Sequence, residues 1–215
     1  MALVFENNVP SSYRKEFVAK VIDISKKIGI NPNWLMAIIS WESANSFSAS
    51  KPNQIGCTGL IQFCPDRKGV NYKTINGKRY YLSDLAKMTA VQQLDVVYEY
   101  FKSYTNKLKS YTDTYFAVFF PLAIGKPDDF ILQGGGLSPL DIYEDNPGFR
   151  IQKDGKIRVW EVKQVMLKKL PSEWLNDGSF SLAVKAYKTP ISIAIGVPII
   201  IYLSYKIYGK YFRTA

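Results

Sequence analysis

The sequence predicts a mainly α-helical fold with one short β-hairpin. Three observations carry this. Apolar residues recur at three- and four-residue spacing in several segments. Helix caps and stops bound those segments, as at Asn31-Pro32 and Gly29. Asn76-Gly77, between a Thr-Ile pair and the run KRYYL, signals a hairpin.

The elements follow in order. Ser11 or Ser12 opens a first helix that runs through Lys27, with Phe17, Val18, Val21, Ile22, Ile24 and Ile28 on a broad apolar face, until Gly29 stops it. A second helix starts at Pro32, a good first helical position, with Asn31 as its cap. Leu35, Ile38, Ile39 and Glu42 share one of its faces. Residues 66–82 are basic and aromatic and form the hairpin, either a plain surface ribbon or a flap whose tyrosines stack on sugar rings. Ser83 caps a helical segment, and Thr89 restarts it with a capping-box outline. Thr112 or Asp113 starts a very apolar helix, which Pro121 bends or ends and Gly125 closes. The glycine- and proline-rich stretch 126–146 reads as a loop.

The composition narrows the chemistry. The 215 residues are 47% hydrophobic, enough for a proper core, and carry a formal net charge of +10. That charge suits an anionic partner such as a cell-wall polymer or a phospholipid surface. No Lys/Arg block with interleaved aromatics stands out, so no nucleic-acid partner is expected. Histidine is absent altogether, which excludes Ser-His and Cys-His catalysis and argues against zinc. Cys57 and Cys64 are the two cysteines; they read as buried apolar thiols, with a disulfide geometrically open to them. The first ten residues show none of the features of a secretory leader.

Glu42 is the candidate acid. It stands near the end of an apolar helix, where lost hydration favours its neutral form and raises its pKa. A general acid working at neutral pH needs that shift. A solvated helix-end glutamate is the plainer alternative. Further on, Gly56-Cys57-Thr58-Gly59-Leu60-Ile61-Gln62 places two glycines where a backbone passes close to a ligand, and a glutamine with both a donor and an acceptor.

Together, Glu42-Ser43, a polar loop, the Gly-x-x-Gly-Leu-x-Gln segment and Pro65 resemble the lysozyme-like superfamily, specifically the soluble lytic transglycosylase-type domains. The resemblance spans roughly residues 17–170. It implies a lysozyme-like helical domain in which Glu42 is the catalytic acid and base, while Ser43, Gly59, Leu60 and Gln62 line a saccharide cleft. Ser43 would position the carboxyl or touch substrate, unless it simply ends the helix. The third motif departs from the common Ala-Tyr-Asn-Ala-Gly. It reads Ala117-Val118-Phe119-Phe120-Pro121 and resembles a phage and Bacteroidetes-type branch. Tyr115 is the candidate for a tyrosine hydrogen-bonding beside the acid, or else a core residue.

Two further segments complete the expected organisation. Residues 150–161, RIQKDGKIRVWE, match a calcium loop at Asp154, Gly155, Ile157 and Glu161, but Arg150 puts a positive charge at the first ligand position. The segment reads as a degenerate EF-hand-like turn held without metal. Between Lys188 and Lys206 lies an uncharged run near the lower limit of about 17 residues for a spanning helix. Its basic and tyrosine-rich flank suits a membrane anchor, with a buried core helix as the plainer alternative.

The expected organisation is a catalytic domain over 1–135, an EF-hand-like helical appendage over 136–178, and a linker with a C-terminal transmembrane helix over 179–215, the lipid contact lying at 190–205. No cofactor is expected. The resemblance implies cleavage of the MurNAc-β-1,4-GlcNAc bond of a peptidoglycan strand with closure of a 1,6-anhydro ring. The architecture suggests a single-pass phage enzyme, in a virion membrane beside other virion proteins. A bacterial inner-membrane enzyme facing the periplasm is the alternative setting. A hydrolytic muramidase and a catalytically silent glycan-binding virion component are the alternative activities.

Overall fold

The computed structural model describes residues 2–53, 56–175, 178 and 180. Among these the chain is mainly helical with one two-stranded antiparallel sheet. Helix α1 (Arg14–Ile28) starts after Tyr13, later than the serines suggested, and ends at Gly29, whose φ of 78° is the left-handed stop expected there. Ile22, expected on its apolar face, is 44% exposed because the buried stripe follows Phe17, Val21, Ile24 and Ile28. Helix α2 (Pro32–Glu42) begins as its sequence dictates: the Asn31 side chain accepts the Asn33 N–H at 2.9 Å. Its apolar positions are buried on several sides, so α2 runs through the core rather than over it.

Strands β1 (Tyr72–Ile75) and β2 (Lys78–Tyr81) pair in the register Tyr72–Tyr81 to Ile75–Lys78. Asn76 and Gly77 both take positive φ, as a two-residue hairpin turn of this type requires. Helix α3 (Leu82–Lys87) follows directly. Ser83 lies inside its first turn and does not cap it. Thr89 caps α4 (Ala90–Lys102) with the full capping box, its hydroxyl accepting from Gln92 N while the Gln92 side chain accepts from Thr89 N.

Helix α5 (Tyr111–Phe119) starts one turn position earlier than expected because Ser110, not Thr112 or Asp113, is the cap. It ends before Pro121, which opens a short 3-10 turn. The stretch 126–146 is not all loop. It contains α6 (Pro139–Asp145), capped by Ser138 with Asp141 reaching back to the cap's N–H. The Ser-Pro-x-Asp signal was present but lay behind a run of three glycines. Helices α7 (Val159–Lys168) and α8 (Ser172–Leu175) complete the described chain.

A single buried cluster takes in residues from Leu3 to Phe180. Helix α5 sits in it, packed against both α2 and α7. No helix among the described residues is long and apolar enough to cross a membrane. The run at 190–205 expected to anchor the chain lies outside the described residues.

Candidate functional site

Glu42 is the last residue of α2 and is only 8% exposed. Burial pushes its carboxyl well above the ordinary carboxylate range, and no neighbouring charge contributes to that shift. Its Oε1 is fully enclosed and has no hydrogen-bond partner among the described residues. An unpaired carboxylate oxygen in that position is costly, so the neutral acid is the favoured form.

Two tyrosines of α5 lie within electrostatic reach of it. Tyr115, the residue singled out in the sequence, and Tyr111, one turn earlier, are both buried, and desolvation followed by the Glu42 charge raises both phenols. Tyr115 makes no hydrogen bond of good geometry through its hydroxyl. Its ring stacks on Phe119 at 5.5 Å, and both rings tilt against Phe149. It shapes the dry wall beside the acid rather than bonding to it. Tyr111 was missed in the sequence, although its four-residue spacing from Tyr115 places both on one helix face. Phe180 packs edge-on against Tyr111 at 5.1 Å, and Lys169 sits 4.5 Å from the Trp41 ring, next to the acid. Lys169 thus lies against the last turn of α2, and Phe180 against the start of α5.

Ser43 does not reach outward. It is fully buried, and its Oγ accepts the Phe47 N–H at 3.0 Å. This bond holds a turn in which Ala44, Asn45 and Phe47 all take positive φ. Asn45 and Asn53 also serve turns, through Ser40 Oγ and Cys57 N respectively.

The glycine segment is a tight knot. Thr58 and Phe63 exchange backbone hydrogen bonds at 3.0 and 2.8 Å, and Gly59 N–H donates to Lys51 O at 3.1 Å. Leu60 is buried in the core. Gln62 stands at φ 53° and uses its Nε2 inward, donating to Lys51 O and Gly59 O, both at 3.0 Å. Its Oε1 is buried without a partner among the described residues. The amide thus braces the loop with its donors and keeps one acceptor free. Cys57 and Cys64 are joined in a disulfide that closes this knot, so the reading as two thiols is corrected. Seven residues of separation across a double turn bring the two side chains together, which spacing alone does not reveal.

Gln93 is the residue that sequence reasoning overlooked. Its fully buried amide accepts the Leu60 N–H at 2.7 Å and donates to Ala49 O and Leu85 O at 3.0 and 2.8 Å. One side chain thus ties the loop after the acid, the glycine knot and α3 to α4. An amide at a core-facing position between Ala90 and Val97 was the available signal.

The calcium-like loop carries its own cation. Arg158 donates from Nη1 to Gln152 Oε1 at 3.0 Å and from Nη2 to Asp154 Oδ2 at 2.6 Å. The fully buried Glu161 carboxylate accepts three backbone N–H groups, from Ile151, Gln152 and Arg158. The side chains a calcium ion would need are spent on a guanidinium and on the backbone, so this donor set does not fit the metal. Among the described residues no cluster of three acid, cysteine or histidine side chains could hold a metal ion.

No protein-family model matches the chain, and no curated protein or solved structure is significantly similar to it.

Proposed function

We propose that the chain is a peptidoglycan-cleaving lytic transglycosylase of lysozyme-like fold, with Glu42 as its general acid and base. The observation that carries this is the Glu42 carboxyl: buried at a helix end, shifted upward by desolvation alone, and left with an unpaired oxygen. A carboxylic acid kept neutral in this way is suited to protonate a leaving oxygen.

In this reading protonated Glu42 gives its proton to the glycosidic oxygen as the C1–O bond opens toward an oxocarbenium-like state. The resulting carboxylate then takes the proton from the muramic acid 6-hydroxyl as that oxygen bonds to C1 and closes the anhydro ring. The sugar's own acetamido group stabilises the cation. A hydrolase of the usual kind needs a second carboxylate nearby. Among the described residues the other fully buried acid, Glu161, is committed to three backbone N–H groups in its own loop. This supports the anhydro-forming route over water attack. In the same reading residues 190–205 anchor the enzyme to a virion membrane, or to the bacterial inner membrane facing the periplasm, where the wall polymer is the substrate.

One observation favours the silent-binder alternative. Both Gln62 donors are used internally and its acceptor is buried, so the amide braces the loop and does not face a substrate as the resemblance implies. The two readings separate in one experiment. The full chain, in mild detergent, is incubated with purified sacculi beside its Glu42→Gln variant, and soluble products are identified by mass spectrometry. Release of anhydro-ended muropeptides by the parent, reduced about 10²–10⁴-fold in the variant, is expected. Products with ordinary reducing ends would replace the lyase by a muramidase, and no release by the parent would leave the binder.

A further inference from the structure

We infer that the outer face of the β1–β2 hairpin is a docking surface for an acidic glycan strand, with Tyr81 stacking on a sugar ring and Arg79 pairing with an anionic substituent. The inference deepens the proposed function by assigning a second point of contact with the same polymer, and it rests on that reading only for the identity of the glycan.

The strand alternation sorts the hairpin into two faces. Lys73 and Ile75 point inward and are buried. Tyr72, Thr74, Arg79 and Tyr81 share the outer face, paired as Tyr72–Tyr81 and Thr74–Arg79. The inner face holds the ribbon rigid. Lys73 lies 3.5 Å from Asp66, the Asp66 Oδ2 accepts the Thr74 N–H at 2.9 Å, and Asn76 Nδ2 donates to Glu99 O at 2.7 Å on α4. A short two-stranded ribbon is marginal alone, so this anchoring sets its outer face in place.

The outer face is built for a ring and a negative charge. Tyr81 is 45% exposed, among the large hydrophobic side chains that the described surface leaves open. The Tyr72 ring meets it edge-on at 6.1 Å and has the Arg79 guanidinium 4.8 Å from its centroid. Arg79 is exposed and lies against the same Tyr72 ring that meets Tyr81, so one guanidinium and one open ring share this face, a pairing that suits a carboxylate or phosphate next to a sugar. The turn before β1 adds exposed Arg67 and Lys68 at the same end, since Asp66 N–H donates to Tyr72 O at 3.0 Å. None of the four outer-face residues is acidic.

The ring inventory favours glycan over nucleic acid. Single strands bind on successive open aromatic faces. Here Arg79 covers Tyr72 and Lys78 covers Tyr80 at 4.9 Å, so Tyr81 alone of the three hairpin tyrosines is both exposed and uncovered. One stacking ring beside one fixed guanidinium matches a saccharide that carries an acidic group on or next to the ring.

The test is sedimentation of the full chain in mild detergent with sacculi stripped of other wall polymers. Every protein carries Glu42→Gln so that cleavage does not interfere. Tyr81→Ala and Arg79→Ala are each expected to weaken binding about fivefold to tenfold. Tyr81→Phe keeps the ring and should bind as the parent does, and Arg79→Ala should flatten the salt dependence. Thermal melts check that each variant is folded. Unchanged binding in folded Tyr81→Ala and Arg79→Ala proteins overturns the inference, as does a Tyr81→Phe loss equal to that of Tyr81→Ala. Tighter binding of a single-stranded oligonucleotide than of sacculi, lost in the same variants, reassigns the face to nucleic acid and also overturns it. Failure of the parent chain to release muropeptides, with sacculus binding still dependent on Tyr81, removes the enzymatic reading and leaves the docking surface standing.

Discussion

Gln93 Oε1 accepts the Leu60 backbone N–H at 2.7 Å, and a Cβ on the preceding residue, Gly59, would lie 2.3 Å from that same oxygen. The glycine knot and α4 are thus fitted to each other with no room for a methyl group. Gly59 also holds φ at 88°, a region that other residues enter only with strain. Gly59→Ala should cost roughly 2–4 kcal/mol, from backbone strain and displaced packing. Gln93→Leu leaves one buried N–H and two carbonyls without their partner and should cost about 3–5 kcal/mol. Urea titration measures both. Because both mutations break one contact, the double variant should lose less than the sum. A strictly additive result would show that the two residues act separately.

Glu42→Gln should cut turnover about 10²–10⁴-fold and still stabilise the fold at high pH. The sign follows from the upward shift. Folded Glu42 keeps its proton where the unfolded residue has lost it, so its contribution favours the native state at low pH and turns against it as pH rises toward the folded-state value. Removing the titration should raise the melting temperature at pH 8 by about 2–4 °C, and by less at pH 4. Calorimetry at the two pH values decides it. A variant that melts lower than the parent at pH 8 would mean that the charged carboxylate has a partner in solution. Parent activity should likewise fall as pH rises through the same shifted value.

The disulfide gives a separate expectation. Denatured, unreduced protein should show no titratable thiol, since no cysteine among the described residues is free. Cys57→Ser with Cys64→Ser opens a short loop and should cost about 2.5 kcal/mol by chain entropy. That corresponds to a melting shift of about 5–10 °C. Two free thiols per chain under oxidising conditions would contradict the pairing.

Arg158 should make the calcium-like loop indifferent to calcium. Millimolar calcium or chelator should leave the melting temperature of the parent within about 1 °C. Arg158→Ala leaves Gln152 and Asp154 without their guanidinium partner and removes the 3.7 Å ion pair to Glu161, and should cost about 1–3 kcal/mol, read by the same melts. Arg158→Lys keeps the charge but loses the fork and should fall between the two. A calcium-dependent rise of several degrees in the parent would show that a metal displaces the guanidinium.

Much of the helical outline was local and therefore readable. Asn31-Pro32, Thr89 with Gln92, Gly29 and Asn76-Gly77 act through hydrogen bonds and φ preferences within a few residues, so their effect does not wait on the rest of the chain. The depth of Glu42 was legible as a tendency, from its place on an apolar helix face. What its neighbours are was not. Tyr111, Phe180 and Lys169 reach the acid's surroundings from segments far along the chain, and only packing brings them there. The sense of Ser43 and Gln62 also changed for a tertiary reason. Both side chains look available in the sequence, yet both bond inward because the loop they serve has backbone groups that burial would otherwise leave unpaired. The Cys57–Cys64 bond and the Arg158 cation belong to the same class. Residue types and spacings determined by themselves the starts of α2 and α4, the stop at Gly29, the turn at Asn76-Gly77 and the tendency of Glu42 to hold its proton. Tertiary structure alone decided which polar groups are consumed in holding those turns, because that depends on which distant donors and acceptors share one buried space.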